Sequence, residues 1–310
     1  MARMLAVTGF LAAVMTLGGC RPMAGFDQAT EDFHFSYALQ PGGQLNLTNT
    51  NGSVEITGWD RNSLDISGTK YGPDQNRLKE IQVKVNASGK DATIATVIPR
   101  GDNWHGSYGV RYRIRVPRNI ALSPVETTNG AITAEDLSGG GRIKSTNGKL
   151  TLTYLAGDYR AETTNGAIEM ENCSGLQRAE TTNGGVRGHL KEGAIEATST
   201  NGALNVTVDK PRENKTIKMT TTNGSLALAL AEFHGNAVRV GTTHGSVTLR
   251  LPDNTNAHLR AETSMAGIHN DLPLSSTEEH SKHELRGQLG KGGPDIEAST
   301  NMGSINISRY

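Results

Sequence analysis

One tripeptide, Thr-Asn-Gly, recurs at fixed spacing along most of this 310-residue chain. Five of its asparagines follow one another at intervals of 18 residues, and the next two intervals, to Asn223 and His244, are 22 and 21 residues. Such a period is typical of a repeat protein, in which each unit stacks on its neighbours. The asparagines and glycines that we expect to form stacked turns are Asn51, Gly52, Asn129, Gly130, Asn147, Gly148, Asn165, Gly166, Asn183, Gly184, Asn201, Gly202, Asn223, Gly224 and the variant Asn301.

A second period shows that each unit contains two short arms. Glycines fall every nine residues from Gly130 to Gly202, so each 18-residue unit has two turns. The arms between them have about seven residues, a length that suits strands rather than helices. In most arms that follow Thr-Asn-Gly, the second and fourth residues past the glycine are apolar, as at Ile168 and Met170. This alternation buries one face of each strand.

Two all-β folds are compatible with this repeat. In a parallel β-helix, each unit of 18–22 residues is one coil with two strands, and equivalent residues stack about 4.8 Å apart. In an antiparallel β-meander, the Asn-Gly pairs would form type I′ hairpin turns. The columns of identical residues favour the β-helix, because stacked asparagines can hydrogen-bond to one another. The glycines would then supply a positive φ at each sharp corner.

The first 20 residues are typical of an export signal. Arg3 precedes an apolar stretch over residues 4–17 that is too short to cross a bilayer of about 30 Å and suits a signal peptide. The sequence Leu17-Gly18-Gly19-Cys20 resembles the lipobox of bacterial lipoproteins, in which the cysteine is lipidated. We therefore predict a signal peptide over 1–19, a lipid on Cys20 and a tether over 20–32. Arg21 is typical of sorting to the outer membrane if the organism is diderm.

The remaining residues, 33–310, are predicted to form a single β-helix domain. Near its start, Phe33 and Phe35 alternate with polar residues as in a strand with one aromatic face. The segment from Asp74 to Glu80 is predicted to form a helical turn capped by Asp74. The predicted parts of the domain are an N-terminal cap with irregular coils (33–125), regular coils (126–270), a loop excursion (271–294) and a last coil (295–310).

Composition and motifs argue against several classes of function. The chain has 31 basic and 31 acidic residues, so no basic excess points to nucleic acid. Its two cysteines, Cys20 and Cys173, cannot form a four-thiolate zinc site. His280 and His283 form an isolated His-x-x-His in a polar segment, without the helical motif of a built metal site. No phosphate loop, dinucleotide fingerprint or nucleophile elbow is present in the sequence. We therefore predict no cofactor, no metal and no catalytic residue.

Charged columns are the remaining candidates for chemistry. Glu162 and Glu180 occupy equivalent positions in neighbouring units, and Arg160 and Arg178 lie two residues earlier. Carboxylates in β-helix enzymes work in clusters, for acid–base chemistry or metal binding. Balanced charge on an exposed sheet instead favours a salt-bridge ladder. Cys173 shares an apolar column with Leu137 and Leu155, which predicts a buried, inert thiol.

The order of these motifs resembles a bacterial family of exported candidate adhesins without an assigned biochemical function. The resemblance rests on the Thr-Asn-Gly series, on the strand Val110–Val116 followed by Pro117, and on the ending from Leu289 through Gly293 to Ile307. It covers about residues 40–310. It implies a parallel β-helix and a surface role, but no ligand.

The sequence as a whole predicts a lipoprotein anchored in the cell envelope that is not an enzyme. We expect binding, adhesion or scaffolding through an elongated face, with the membrane as one partner through the N-terminal lipid. A polysaccharide or an envelope protein would be the other partner. One alternative is a carbohydrate-active β-helix enzyme, a lyase or hydrolase. Another is a purely structural envelope component.

Overall fold

The computed structural model describes residues 28–99 and 107–310, in which strands account for nearly all regular structure. The predicted signal peptide, Cys20 and most of the tether lie outside these ranges. One helix, α1 (Gln75–Glu80), is present in the described residues. The strands are β1 (Ala29–Ala38), β2 (Gln44–Thr48), β3 (Val54–Trp59), β4 (Ser63–Gly72), β5 (Gln82–Ser88), β6 (Asp91–Val97), β7 (Gly109–Pro117), β8 (Ala121–Asn129), β9 (Ile132–Glu135), β10 (Gly141–Asn147), β11 (Leu150–Thr153), β12 (Tyr159–Asn165), β13 (Ile168–Asn183), β14 (Val186–Asn201), β15 (Leu204–Pro211), β16 (Ile217–Asn223), β17 (Leu226–Leu230), β18 (Val238–His244), β19 (Val247–Leu251), β20 (Ala257–Thr263), β21 (Ile268–Asn270), β22 (Leu274–His280), β23 (Glu284–Leu289), β24 (Asp295–Thr300) and β25 (Ile305–Arg309).

The strands form two walls of a parallel β-helix, and the prediction of this fold is confirmed. Successive coils pair in parallel and in register, so that Asn147 lies opposite Asn165 and Leu150 opposite Ile168. The alternative of an antiparallel meander is wrong, because each Asn-Gly corner leads into the opposite wall instead of turning back on its own strand. The long strands β13 and β14 pass through a corner and contribute to both walls.

The first wall, wall A, consists of the strands that end at the Thr-Asn corner together with their antiparallel extensions. Its order is β5, β6, β2, β8, β10, β12, β13, β14, β16, β18, β24, β20, β23 and β22. The second wall, wall B, has the order β1, β4, β7, β3, β9, β11, β13, β14, β15, β17, β19, β25 and β21.

Both ends of the β-helix depart from sequential stacking. At the C-terminal end, the last coil, β24–β25, is inserted between the coil β18–β19 and the coil β20–β21. At the N-terminal end, the coil β2–β3 lies between β6–β7 and β8–β9. At the C-terminal end, the inner coil therefore follows the outermost coil in the sequence. At the N-terminal end, the inner coil precedes the outermost coil in the sequence.

Antiparallel strands cover the outermost coils. Their bounds differ from two of the domain boundaries predicted from the sequence. The predicted tether over 20–32 is too long, because Ala29–Asp32 already pair with Thr69–Gly72. The predicted loop excursion over 271–294 is also wrong in part, since β22 and β23 pair with each other and β23 pairs with β20. The strand β22 escapes recognition because residues 275–279 are all exposed, so its sequence lacks the apolar alternation of a strand with one buried face. The predicted helical turn is present as α1, with Asp74 accepting bonds from two backbone amides.

The core is a narrow layer between the two walls. Large aliphatic residues of wall B, such as Ile168 and Leu204, are fully buried, and the facing column of wall A carries Ala161, Ala179 and Ala197. Leu137, Leu155 and Cys173 share one buried column, as the sequence predicts. Burial raises the pKa of the Cys173 thiol, so the thiolate that reactive cysteines need is disfavoured.

The physical reason for glycine at the Thr-Asn corner differs from the one that we expected from the sequence. Gly148, Gly166 and Gly184 do not have the positive φ that the sequence suggests. Instead, a Cβ atom at each of them would lie closer than 3.0 Å to the carbonyl oxygen of the glycine one coil back. Positive φ is found at Gly52 (+115°) in the first Thr-Asn-Gly corner and, in the regular coils, at the opposite corner, for example at Gly157 (+119°) and Gly175 (+99°). In the regular coils, close stacking of backbones, and not a left-handed turn, therefore excludes side chains from the Thr-Asn corner.

Candidate binding surface

The predicted asparagines form one continuous hydrogen-bonded ladder along the corner. Each amide Nδ2 donates to the Oδ1 of the asparagine one coil back, over distances of 2.7–2.9 Å. The ladder connects Asn51, Asn129, Asn147, Asn165, Asn183, Asn201 and Asn223. Asn301 is exposed and outside the ladder, and an inserted methionine, Met302, follows it. The chain thus exposes a straight row of amides on its surface.

The two residues before each corner asparagine point in opposite directions. The first is buried, and its hydroxyl donates to the carbonyl of a corner glycine one coil back, as from Thr163 to Gly148 at 2.9 Å. The same bond recurs at 2.8–2.9 Å in seven further coils. The second residue is outward, as at Thr164 and Thr182, and forms a column on the surface. The buried hydroxyls thus tie the coils together, and the outward ones remain available to a ligand.

The outer face of wall A carries a salt-bridge ladder, as expected from the charged columns. Arg142 pairs with Glu162 at 2.8 Å, and Arg160 contacts both Glu162 and Glu180. Arg178 pairs with Glu196 one coil further at 3.2 Å. Burial alone would raise the pKa of Glu162, but the Arg142 and Arg160 guanidinium groups outweigh it and lower that pKa. Glu162 is therefore an ionised partner of arginines and is poorly suited to act as a general acid.

A shallow depression of about 460 Å³ lies beside this ladder. Acidic and basic side chains, Lys144, Glu162 and Glu180, line one side, and the threonine column with Thr164 and Thr182 lines the other. The depression runs across adjacent coils, because its lining residues occupy equivalent positions in successive strands. Its geometry suits contact with an extended ligand and provides no enclosed space around a single reacting atom.

A second charged region lies on wall B near the N-terminal end, and sequence patterns gave no indication of it. Asp65 accepts hydrogen bonds from Arg115 at 3.0 Å and lies 2.8 Å from His34 Nε2. Burial alone would raise the pKa of Asp65, but these two partners outweigh it and lower that pKa. The Cζ atoms of Arg61 and Arg115 lie 5.1 and 4.8 Å from the centroid of the Trp59 ring. Pairing of β4 with β1 and β7 assembles the contacts of Asp65, and pairing of β3 with β7 brings Trp59 beside Arg115.

One histidine on wall B lies between two carboxylates that belong to the coils on either side of it. His189 Nδ1 lies 3.2 Å from Glu171, and Nε2 lies 2.9 Å from Asp209. The hydrogen bonds with Asp209 and then Glu171 raise the pKa of His189. The protonated imidazole therefore links three successive coils, and this contribution depends on pH.

We expect the stabilising effect of His189 to decline as the pH rises. Because its pKa is higher in the folded state, the contribution is complete below the unfolded value of about 6.5 and is lost as the pH rises through the folded value. At pH 5.5 the variant His189→Gln should unfold more easily than the wild type, by about 0.5–1 kcal/mol because solvent screens the partly exposed pair. At pH 9 the difference should shrink towards zero. Urea unfolding of both proteins at the two pH values measures this; a difference independent of pH would contradict the assignment.

The described residues, 28–99 and 107–310, contain no group of three or more histidine, cysteine, aspartate or glutamate side chains placed to hold a metal ion. Within the same ranges, no helix is long and apolar enough to cross a membrane.

The exposed side chains form parallel columns with the spacing of the coils. The surface therefore offers repeated contacts to an extended partner.

The fold and this surface define a solenoid protein of the parallel β-helix class. The chain belongs to the Toastrack DUF4097 family, whose sequence profile matches residues 36–308. The resemblance to a family of unknown function that the motifs suggested is thereby confirmed. No curated protein matches the sequence.

Two solved structures share the fold at low sequence identity. A candidate adhesin from Parabacteroides distasonis ATCC 8503 is 12% identical, with a TM-score of 0.53 over 92% of this chain and 98% of that one. A candidate adhesin from Parabacteroides merdae ATCC 43184 is 10% identical, with a TM-score of 0.51 over 91% of this chain and 96% of that one. These similarities show the common architecture.

Proposed function

We propose that this protein is a non-enzymatic binding protein of the bacterial surface that contacts an extended partner through the outer face of its β-helix. The observation that carries the proposal is the set of continuous polar columns on the surface: the asparagine ladder, the outward threonines and the Arg–Glu ladder. Contacts that repeat from coil to coil add up in the manner of a multivalent interaction. The description of both structural neighbours as candidate adhesins supports this role.

Site-directed photocrosslinking tests the extended contact. A photoreactive residue is placed singly at Thr164, Thr182 and Thr222, which lie on one outward column, and at Thr248 on wall B as a control. If wall A holds the partner, the three column positions capture the same envelope component in whole cells and Thr248 captures much less. Capture at one coil alone, or equal capture at Thr248, would contradict an extended contact on wall A.

We further propose that a lipid on Cys20 holds the protein in the envelope, in the outer membrane if the organism is diderm. The lipobox sequence Leu17-Gly18-Gly19-Cys20 supports this location. Each buried methylene of an acyl chain contributes about 0.8 kcal/mol, so two or three chains hold a protein firmly.

Replacement of Cys20 by serine is therefore expected to release the protein from membranes. Without the thiol no lipid is attached, and the membrane affinity that it provides is lost. Fractionation of cells that express Cys20→Ser, with a high-salt wash of the membranes, measures the effect. Cys173→Ser is the control and should stay with the membrane fraction. Retention of Cys20→Ser in washed membranes would refute the lipid anchor.

A further inference from the structure

The corner opposite the asparagine ladder contains a column of left-handed residues. Asp136, Tyr154 and Asn172 have φ values of 59°, 53° and 55°, and they are 18 residues apart. Aspartate and asparagine tolerate this conformation, because their short polar side chains can bond locally. A bulky residue is a genuine outlier there and costs of the order of 1–2 kcal/mol. The backbone conformation of Tyr154 is therefore strained, whereas Asp136 and Asn172 adopt the same conformation at lower cost.

Burial does not compensate for this unfavourable backbone. The Tyr154 side chain is 51% exposed, so it contributes little to the core. The ammonium group of Lys191 lies 5.7 Å from the ring centroid, which is a weak contact at an exposed site. An exposed aromatic ring held in a strained conformation is a reason to look for function.

The residues around this ring come from the next coils and are polar. The Tyr154 backbone amide donates to the Glu171 carbonyl, and Asn172 occupies the same corner one coil further. Glu171, His189 and Asp209 form the row of ion pairs described above, next to Lys191. The surface around Tyr154 thus combines a flat apolar ring with donors and acceptors of both charges.

We propose that Tyr154 is the stacking platform of a glycan-binding site. A sugar ring presents an apolar face that can cover an exposed aromatic ring, and its hydroxyls both donate and accept hydrogen bonds. Lys191 and the Asn172 amide supply donors, and the Glu171 carboxylate supplies an acceptor. The balanced charge favours a neutral polyhydroxylated chain over a purely anionic or cationic ligand. This inference rests on the proposed binding function and adds to it a second contact surface, at the corner opposite the asparagine ladder, with a stated ligand class.

The variant Tyr154→Asn separates binding from stability. Asparagine fits the left-handed backbone, so the thermal midpoint should rise by about 2–4 °C. Loss of the ring should weaken glycan binding about tenfold or more. A change that stabilises the fold and removes binding is the signature of a residue retained for function. Tyr310→Asn is the matched control: Tyr310 is 58% exposed at the far end and lacks a left-handed backbone, so neither quantity should change.

The experiment measures retardation of the full mature chain in gels that contain defined polysaccharides: peptidoglycan fragments, mannan, β-glucan and soluble chitin oligomers. Wild-type retardation that Tyr154→Asn loses, and Tyr310→Asn keeps, supports the proposal. If both variants are retarded like the wild type, the site at Tyr154 is refuted, although the extended-face function stands. If the wild type binds none of these polysaccharides, the glycan assignment is refuted, and photocrosslinking of wall A decides the proposed function separately.

Discussion

Replacement of Gly166 by valine is expected to destabilise the folded protein strongly. A side chain at this position would collide with the backbone of Gly148 one coil back. The obstacle is main chain, so no rotation of a side chain can relieve the overlap, and the two coils would have to separate. Overpacking usually costs 1–3 kcal/mol, and separated coils would lose hydrogen bonds on both sides as well. We therefore expect a loss of about 4 kcal/mol or more in urea unfolding.

Gly267 provides the matched control for this prediction. It follows the corner of the coil β20–β21, and a Cβ atom there would meet nothing within 4 Å. Gly267→Val should therefore cost less than about 1 kcal/mol, as is usual for open surface positions. If the two valine variants had similar stability, close stacking of coil corners would not be the reason for glycine in the Thr-Asn-Gly repeat.

Removal of the last coil, residues 295–310, is expected to have an effect of similar size. This coil lies between two others, so its loss removes the partner of β18 and β19 on one side and of β20 and β21 on the other. It also removes buried Ile296, Ile305 and Ile307, each contributing about 1.5–3 kcal/mol. We expect amide protons of residues 238–289 to exchange rapidly with solvent in the truncated chain, while residues 121–211 stay protected.

Removal of Arg309 and Tyr310 alone is the control for the truncation. Arg309 pairs with Asp253 at the surface and Tyr310 is exposed, so exchange over 238–289 should change little. Protection that survives the loss of residues 295–310 would show that β20–β21 can stack directly on β18–β19. The inserted last coil would then be dispensable for the C-terminal end.

The sequence contained enough information for the regular coils because their contacts repeat. A serine or threonine at the position of Thr163, and the residues Asn165 and Gly166, recur every 18 residues in the regular coils. Because each of these residues stacks on its equivalents in the neighbouring coils, its period indicates its environment. The buried and outward members of the pair Thr163 and Thr164 also follow from the alternation of a strand. The parallel pairing, the narrow core and the asparagine ladder could therefore be anticipated.

Features that depend on non-repeating contacts could not be anticipated. The inserted coil β24–β25 has the same pattern as any other coil, so the sequence does not show which neighbours it has. The polar strands β22 and β23 gain their strand partners only from the end of the β-helix. Likewise, the cluster around Asp65 is assembled from β1, β4 and β7, and the strain at Tyr154 is visible only in its backbone angle.

The central claim is that this surface binds without chemical turnover. The most direct measurement incubates the purified chain with envelope and plant polysaccharides and records bound polysaccharide and new reducing or unsaturated ends in the same samples. Our account predicts binding that follows protein concentration, with no new ends above those of a protein-free sample, because the exposed carboxylates are paired with arginines along the columns. New ends that disappear when one carboxylate, such as Glu162 or Glu180, is replaced by glutamine would contradict the claim and identify an enzyme.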